Sequence, residues 1–280
     1  MTPPHGWLPR LVALDIDGTL CAEAGESGVE TIRPAVRAAL SAARVAGAHV
    51  VLCSGRTMLA VARFVAALGG WPGPAICSNG AVWLDGSGAV LRQQVFELAS
   101  CVGVLQRSLP GAVFAAEEVG LGNRATATFH DFAFAGHNRL VDVAELIATP
   151  TTRLTVNWPG RSVDELAAAL TVAELADIQY SVFGPDAWMV ASPAGVTKGS
   201  ALEELRIHLG VSAADTLAIG DGTNDLEMLA WAAHGVAMGQ ASAAVRAVAD
   251  EVTASVHEDG AALVLDRWFG SGTESGAVSG

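Results

Sequence analysis

Short apolar runs alternate with amphipathic stretches along the first 80 residues. Residues 11–14 form an apolar run whose length is typical of a strand buried on both faces. Helical spacing of apolar positions follows at residues 31–46 and 57–68, and further apolar runs lie at residues 49–55 and 75–78. This β-α-β-α-β order predicts a parallel sheet with right-handed crossovers.

The pattern changes after residue 82 and returns to parallel-sheet alternation near residue 191. Apolar residues around a DGSG turn predict a β-hairpin at residues 82–91. The next elements are expected as strands near 112–116, 125–132, 153–157, 178–183 and 188–191, with helices near 98–109, 141–148 and 163–176. Beyond these we expect helices at 197–209, 225–232, 242–249 and 260–268, and strands at 217–219, 235–238 and 252–253. A mixed segment between two parallel-sheet halves predicts an inserted α+β domain.

Carboxylates follow two of the predicted strands. Asp15 and Asp17 end the segment LVALDIDGTL, and Asp221 and Asp225 end TLAIGDGTND. Ligands in open α/β sheets bind beyond the carboxyl ends of strands, and neighbouring buried acids need a cation or a shared proton. The first segment alone also fits a strand end capped by an Asp-Gly turn. The second acidic strand end favours one shared site.

Two further segments complete a resemblance to a known family. With Ser54 in VVLCSGR and Lys198 in GVTKGS, the acidic segments resemble the four ordered motifs of the haloacid dehalogenase-like (HAD) superfamily of phosphohydrolases. The stretch SNGA at residues 78–81 resembles the Cof-like branch, in which the inserted segment is a type IIB cap. The resemblance implies a Rossmann-like doubly wound core of residues 10–82 and 191–270, a substrate-specificity cap of residues 83–190, and flexible ends at residues 1–9 and 271–280.

The resemblance also implies an activity and a set of roles. The enzyme would be a Mg²⁺-dependent phosphatase that forms an aspartyl-phosphate, with Asp15 as nucleophile and Asp17 as general acid, although the residues alone do not say which acid does which. Asp15 and Asp221 would ligate the metal by their side chains and Asp17 by its carbonyl, with Asp225 in support. The phosphate-binding residues would be Ser54, Lys198, Gly18, Thr19, Gly55 and Asn224.

Other candidate site residues are supported by weaker sequence patterns. Arg56 either reaches the substrate or pairs with an acid. Substrate contact is also predicted for Asn79 and for three residues of the inserted segment, namely Arg124, Arg153 and Asn157. His130 and His137 fit surface or packing positions better than a metal pair.

The composition of the chain limits the classes of partner and the compartment that we expect for it. A formal charge of −13 disfavours nucleic acid, whose binding relies on clustered Lys and Arg. No apolar run is long enough to predict a membrane span. The four cysteines have no CxxC spacing, which predicts a reducing, cytoplasmic setting.

We therefore expect the substrate to be a small phosphorylated metabolite such as a sugar phosphate. A phosphomutase of the same architecture and a non-hydrolytic phosphate-accepting regulatory or binding module remain as alternatives. Transfer of the phosphoryl group to a second hydroxyl, or a long-lived acyl-phosphate, would separate them from a phosphatase. The oligomeric state is not predicted.

Overall fold

The first of two sheets holds the carboxylate-bearing strands. The structure is a computed structural model that describes residues 6–22, 32–71, 73–129, 134–184 and 186–270. Eight strands form the first sheet in the order β14-β13-β12-β1-β2-β3-β4-β5. Their bounds are β1 Leu11–Leu14, β2 His49–Cys53, β3 Ala75–Cys77, β4 Val82–Leu84, β5 Val90–Gln93, β12 Thr216–Gly220, β13 His234–Ala237 and β14 Glu251–Val252.

Strand β1 lies at the centre of this sheet and is parallel to both of its neighbours. Leu14 aligns with Ile219 of β12 on one side and with Leu52 of β2 on the other. Six helices accompany the sheet, with bounds α1 Pro34–Val45, α2 Met58–Ala67, α6 Lys198–His208, α7 Leu226–Trp231, α8 Ala243–Val248 and α9 Gly260–Phe269. Every residue of β1 is fully buried, as the unbroken apolar run predicts, because apolar clusters cover both faces of the sheet.

The second sheet is formed by the chain between β5 and α6. Its strand order is β10-β11-β9-β6-β7-β8. The bounds are β6 Val113–Glu118, β7 Gly122–Ala125, β8 His137–Leu140, β9 Leu154–Ser162, β10 Ile178–Phe183 and β11 Asp186–Pro193. One face packs beneath helices α3 (Leu98–Ser108) and α5 (Val163–Thr171), with α4 (Val143–Ile147) alongside α3. These two units confirm the predicted α/β class with an inserted α+β unit.

Several predicted boundaries differ from the structure. The hairpin β4–β5 pairs with β3 and extends the first sheet, so the inserted unit begins after β5 rather than at residue 83. Its last strand continues to Pro193 instead of ending at residue 191. The predicted strand at 125–132 lies earlier, as β7, and residues 130–132 are outside the described residues. Strand β8 was missed because three of its four residues are polar and all four are exposed at the edge of the sheet.

The predicted flexible ends lie partly outside the described ranges, which begin at residue 6 and end at residue 270. Within those ranges, no helix has both the length and the apolar character needed to cross a membrane.

A buried carboxylate joins the two sheets. Glu117 of β6 is only 4% exposed and accepts hydrogen bonds from three groups. These donors are the backbone N–H of Met58 at the start of α2 (3.1 Å), the hydroxyl of Ser78 after β3 (2.5 Å) and the hydroxyl of Thr152 (2.8 Å). Because a buried carboxylate is stable only when such donors satisfy it, this contact fixes the inserted unit against the loops that follow β2 and β3.

Candidate active site

The carboxyl ends of β1, β2 and β12 bring together the residues of the predicted motifs. Asp15 directly follows β1, and its backbone N–H donates to the carbonyl oxygen of Ile219 at 3.1 Å. Ser54 directly follows β2, and Asp221 directly follows β12. Since these parallel strands are neighbours in register, three residues separated by up to 206 positions lie at one edge of the sheet.

Lys198 is buried between two of the carboxylates. It is the only lysine of the chain and is 0% exposed. Its Nζ donates to Oδ1 of Asp15 at 2.6 Å and to Oδ1 of Asp225 at 2.5 Å. It is also the first residue of α6, where the helix dipole opposes a positive charge, so the two acids compensate both the dipole and the loss of hydration.

Burial and charge act against each other in this cluster. Burial alone would lower the pKa of Lys198, but Asp15 and Asp225 outweigh it and raise that pKa, so the amine is protonated. Burial raises the pKa of Asp15 well above its usual range, and Asp225 adds to the rise while Lys198 opposes it. One ammonium therefore does not fully compensate the acids, and a further cation beside Asp15 would favour its ionised form.

Asp225 positions other residues of the site through its hydrogen bonds. One of its oxygens binds Lys198, and the other accepts the backbone N–H groups of Asp221 (3.0 Å) and Gly222 (2.9 Å). With both oxygens engaged, this carboxylate orients Lys198 and the turn after β12.

The acids fit a hard divalent cation. One oxygen from each of Asp15, Asp221 and Asp225 lies within 4.8 Å of the others. In the part of the chain that the structure describes, this group contains no His or Cys, and an all-oxygen donor set favours Mg²⁺ over zinc. Asp15 and Asp221 are the two whose oxygens are least occupied by fixed donors, so they are the residues that would hold the ion.

Proton binding at Asp221 gives a test of this electrostatic balance. Burial raises the pKa of Asp221 to about 6, with a further rise from Asp225. An acid whose pKa is raised in the folded state lowers the stability of the fold as pH rises from its unfolded pKa, near 3.8, and the loss is complete above about 6. Without Mg²⁺ and above pH 6, we expect Asp221→Asn to be more stable than the wild type by about 2–3 kcal/mol. The difference should shrink as pH falls through about 6.

Urea unfolding of both proteins across this pH range measures the difference. Mg²⁺ should stabilise the wild type much more than Asp221→Asn, because the ion removes the charge repulsion that the substitution also removes. A variant that is less stable than the wild type at every pH would contradict this account of the site.

Gly18 provides the space that Asp221 occupies. Its φ is +74°, and a Cβ at this position would lie 2.1 Å from a carboxylate oxygen of Asp221. Its N–H donates to the carbonyl of Cys21 at 2.8 Å, and the Thr19 hydroxyl donates to Asp221 at 3.2 Å. Gly18 and Thr19 therefore shape the turn and hold Asp221, while the phosphate contacts expected of them stay predictions.

Gly18→Ala should weaken Mg²⁺ binding about 10-fold or more and lower the stability of the fold by more than ~1 kcal/mol, because Asp221 must move. Gly47→Ala is the matched control: its φ is +87°, but nothing lies within 4 Å of the added Cβ. Calorimetric Mg²⁺ titration and urea unfolding distinguish the two. Equal Mg²⁺ affinities in both variants would disprove the proposed role of Gly18.

Arg56 pairs with Asp17. Its Nε donates to one oxygen of Asp17 at 2.8 Å and its Nη2 to the other at 2.5 Å. The side chain of Asp17 is 40% exposed, whereas that of Asp15 is 7% exposed. Of the two predictions for Arg56, the structure shows the ion pair with an acid, and this two-point contact orients Asp17 at the rim of the site.

The loops after β2 and β3 meet beside Ser54. The Ser54 hydroxyl accepts the Arg56 N–H at 3.1 Å and is almost fully buried. Asn79 has φ +56°, and its side-chain oxygen accepts a hydrogen bond from Asn224 at 3.0 Å. A Cβ on Gly55 would meet both of these amides, at 2.9 and 3.2 Å. Among the described residues, no acceptor binds the Gly55 N–H, which leaves it open to a phosphoryl oxygen.

The three predicted residues of the inserted unit have different surroundings. Arg124 lies on the helix-covered face, where it donates to the carbonyls of Thr149 (2.8 Å) and Leu146 (3.4 Å) and to Glu118 (3.3 Å). Those contacts give Arg124 a structural role at the end of α4, and its substrate contact stays an untested prediction. Arg153 and Asn157 belong to the opposite, helix-free face. His130 lies outside the described residues, and His137 is exposed on β8.

Two residues of the site were missed in the sequence. Gln240 donates to the carbonyl of Gly18 at 2.6 Å and to Asp221 at 3.2 Å, so it links the two acidic turns. Its position shortly after β13, another parallel strand end, is a signal that could have identified it. Glu117 could not be found this way, because it contacts the core through long-range packing of the inserted unit.

The chain is similar in sequence to a known family and to characterised relatives. The family model described as haloacid dehalogenase-like hydrolase matches residues 12–265. The chain is 27% identical over 261 residues to phosphoglycolate phosphatase of Methanothermobacter thermautotrophicus, covering 93% of this chain and 99% of that protein. It is 28% identical over 274 residues to HMP-PP phosphatase of Serratia proteamaculans, covering 94% and 96%.

A shorter match, 43% identical over 76 residues, spans 27% of this chain and only 13% of a chloroplastic endoribonuclease YBEY of Arabidopsis thaliana. Among solved structures, the HAD subclass IIB sugar phosphatase BT4131 superposes with a TM-score of 0.74 at 24% identity, covering 92% of this chain and 98% of that one. This likeness supports the fold of both units.

The fold and the site together define an α/β hydrolase with acids and a lysine at the edge of its parallel sheet. The chain belongs to the haloacid dehalogenase-like hydrolase family. Its predicted Cof-like resemblance and its prediction as an enzyme of the HAD type are thereby confirmed.

Proposed function

We propose that the protein is a Mg²⁺-dependent phosphatase that hydrolyses a small phosphate monoester through an aspartyl-phosphate on Asp15. The observation that carries this proposal is the contact of Asp15 with the only lysine of the chain, beside Asp221 and at the same sheet edge as Ser54. Such a centre supplies a fixed carboxylate nucleophile together with charge for an anionic phosphoryl group.

Asp15 is the better placed of the two acids to act as the nucleophile. It is buried and held by Lys198, so its carboxylate is positioned for attack. In the first step an Asp15 oxygen bonds to phosphorus, the bond from phosphorus to the leaving oxygen breaks, and Asp17 gives that oxygen a proton. In the second step Asp17 takes a proton from water, and the resulting hydroxide attacks phosphorus and frees Asp15.

Asp17 is suited to the proton transfers because its side chain is 40% exposed and can exchange protons with solvent or a leaving group. Arg56 contacts both of its oxygens, and one of these two hydrogen bonds opens when Asp17 carries the proton that it gives. Phosphoryl oxygens would be bound by the Ser54 hydroxyl, the Gly55 N–H and Lys198. When bound by Asp15 and Asp221, Mg²⁺ would supply positive charge against the phosphoryl oxygens. Asn79 and Asn224 would line the same pocket.

Two features support a small phosphate monoester as the substrate class: the inserted unit that packs over the site, and the substrates in the names of similar proteins. The inserted unit packs against the loops after β2 and β3 through Glu117, and such a cover would favour a small molecule over a folded protein as substrate. The full-length relatives are named as phosphatases of phosphoglycolate and HMP-PP, and a similar structure as a sugar phosphatase. Four free, buried cysteines support a reducing compartment such as the cytoplasm.

A panel of sugar phosphates, phosphoglycolate and other small monoesters tests the proposal, with inorganic phosphate release measured at matched Mg²⁺ and EDTA conditions. We expect Mg²⁺-dependent release from at least one small monoester. Transfer of the phosphoryl group to a second sugar hydroxyl without release would instead identify a mutase. A stable acyl-phosphate without turnover would identify a phosphate-accepting module.

A further inference from the structure

A buried arginine whose guanidinium has no hydrogen-bond partner among the described residues lies on the helix-free face of the second sheet. Along β9, Leu154 and Val156 pack into the apolar core beneath the helices. Since side chains alternate along a strand, Arg153 and Thr155 belong to the other face. Arg153 is 5% exposed, and its buried Nε has no hydrogen-bond partner.

The positive charge of the buried Arg153 guanidinium is not compensated by an ion pair among the described residues. Burial lowers the pKa of Arg153, and only the nearby charge of Glu117 opposes that effect. The carboxylate of Glu117 is already occupied by the donors at Met58, Ser78 and Thr152, and it makes no ion pair with Arg153 among the described residues. A buried guanidinium in such a state is costly unless an anion completes its hydrogen bonds.

Arg124 is equally buried, at 4% exposed, and its Nε likewise has no partner. Its two Nη atoms, however, donate to a carboxylate and to two carbonyl oxygens. The two residues come from the same sheet and differ in the face on which they lie. On the helix-free face, the guanidinium of Arg153 has no such carboxylate or carbonyl partner among the described residues.

That face meets the active-site loops. The N–H of Glu117 donates to the carbonyl of Arg153 at 2.9 Å, so the two residues lie opposite each other on adjacent strands, about 5 Å apart. Glu117 binds Ser78, and the N–H of Ser78 donates to the carbonyl of Arg56 at 2.8 Å. Arg153 is thus one strand away from a residue that contacts the loops carrying Ser54, Arg56 and Asn79.

We propose that Arg153 binds a second anionic group of the substrate, a carboxylate or a phosphate separate from the phosphoryl group that is transferred. This inference rests on the proposed phosphatase function and adds a substrate class to it. The planar guanidinium can form two parallel hydrogen bonds with either anion. On the same face, Trp188 packs against Phe183 and Phe129, with ring centroids 6.4 and 5.8 Å apart, and this aromatic cluster would border the body of such a substrate.

Matched substrate pairs test the proposal in two arms. The carboxylate arm compares 3-phosphoglycerate with glycerol 1-phosphate, and the phosphate arm compares fructose 1,6-bisphosphate with fructose 6-phosphate. The wild type should prefer the member with the second anion in at least one arm, measured as a ratio of kcat/KM. Arg153→Met should lower that ratio about 10- to 100-fold. Arg153→Lys, which keeps the charge but not the fork, should retain part of the preference.

Arg124→Met is the matched control, since it removes a buried arginine from the helix-covered face and should leave the ratio intact. The arm that shows the preference identifies the anion. Absence of any preference in the wild type, or an equal ratio in Arg153→Met, would overturn the inference.

Binding separates this inference from the proposed function. Calorimetry should show that the wild type binds 3-phosphonopropionate or methylenebisphosphonate more tightly than methylphosphonate in the presence of Mg²⁺, and that Arg153→Met loses the difference. If the wild type hydrolysed no monoester, the phosphatase proposal would fail, while these affinities would still decide the role of Arg153. Equal affinities in the wild type would overturn that role.

Discussion

Asp15→Asn is expected to lower kcat for phosphate release by at least about 10⁴-fold, because it removes the group that accepts the phosphoryl group. The fold should survive. Lys198 still pairs with Asp225, and an amide in place of a carboxylate reduces the burial of charge at a position that is 5% exposed. The measurement is steady-state phosphate release on the best substrate of the panel, together with urea unfolding.

Asp266→Asn is a control for the loss of a carboxylate in general, because Asp266 lies exposed on α9 away from the sheet edge. It should match the wild type in activity. If Asp15→Asn were folded and retained activity within about 10-fold of the wild type, a nucleophile at Asp15 would be ruled out, because a fall of that size is within the effect of a lost positioning contact.

Lys198→Met is expected to reduce both stability and activity. It leaves Asp15 and Asp225 buried without the ammonium that bridges them, which should cost about 3–5 kcal/mol of unfolding free energy. It also removes a positive charge from the phosphoryl pocket, which should lower kcat by about 10³-fold. Lys198→Arg should not restore activity, because the wider guanidinium does not fit a fully buried site built for an ammonium.

The double variant Lys198→Met, Asp225→Asn separates the two effects. Of Asp15, Lys198 and Asp225, only Asp15 then remains as a buried charged group, so most of the lost stability should return. Activity should not return, since the cation is still absent. Recovery of activity along with stability would mean that Lys198 acts only as a structural ion pair.

The sequence predicted the strand ends of the site because each is a short, uninterrupted apolar run followed by acids or a serine. Asp15 and Asp221 needed only the rule that parallel strands present their carboxyl ends at one edge, whereas Ser54 was identified by its place among the four motifs. Lys198 came from the order and spacing of the motifs. The structure adds what those rules omit, for instance that Lys198 contacts Asp15 and Asp225 directly.

Other features depended on information that local patterns do not contain. Arg124 and Arg153 were equivalent in the sequence, yet the register of Ala116 with Leu154 puts them on opposite faces of the second sheet. Gly18 supplies space for a carboxylate that is about 200 positions distant, which only the folded chain shows. The ion pair of Arg56 with Asp17 likewise required coordinates.

The covalent step on Asp15 can be tested by trapping the aspartyl-phosphate intermediate. Asp17→Asn should slow the hydrolysis of the aspartyl-phosphate, so acid quenching of this variant with substrate and Mg²⁺, followed by peptide mass spectrometry, should locate a phosphoryl group on Asp15. A phosphoryl group on another residue, or turnover by the wild type with Asp15 never labelled in either protein, would contradict the account.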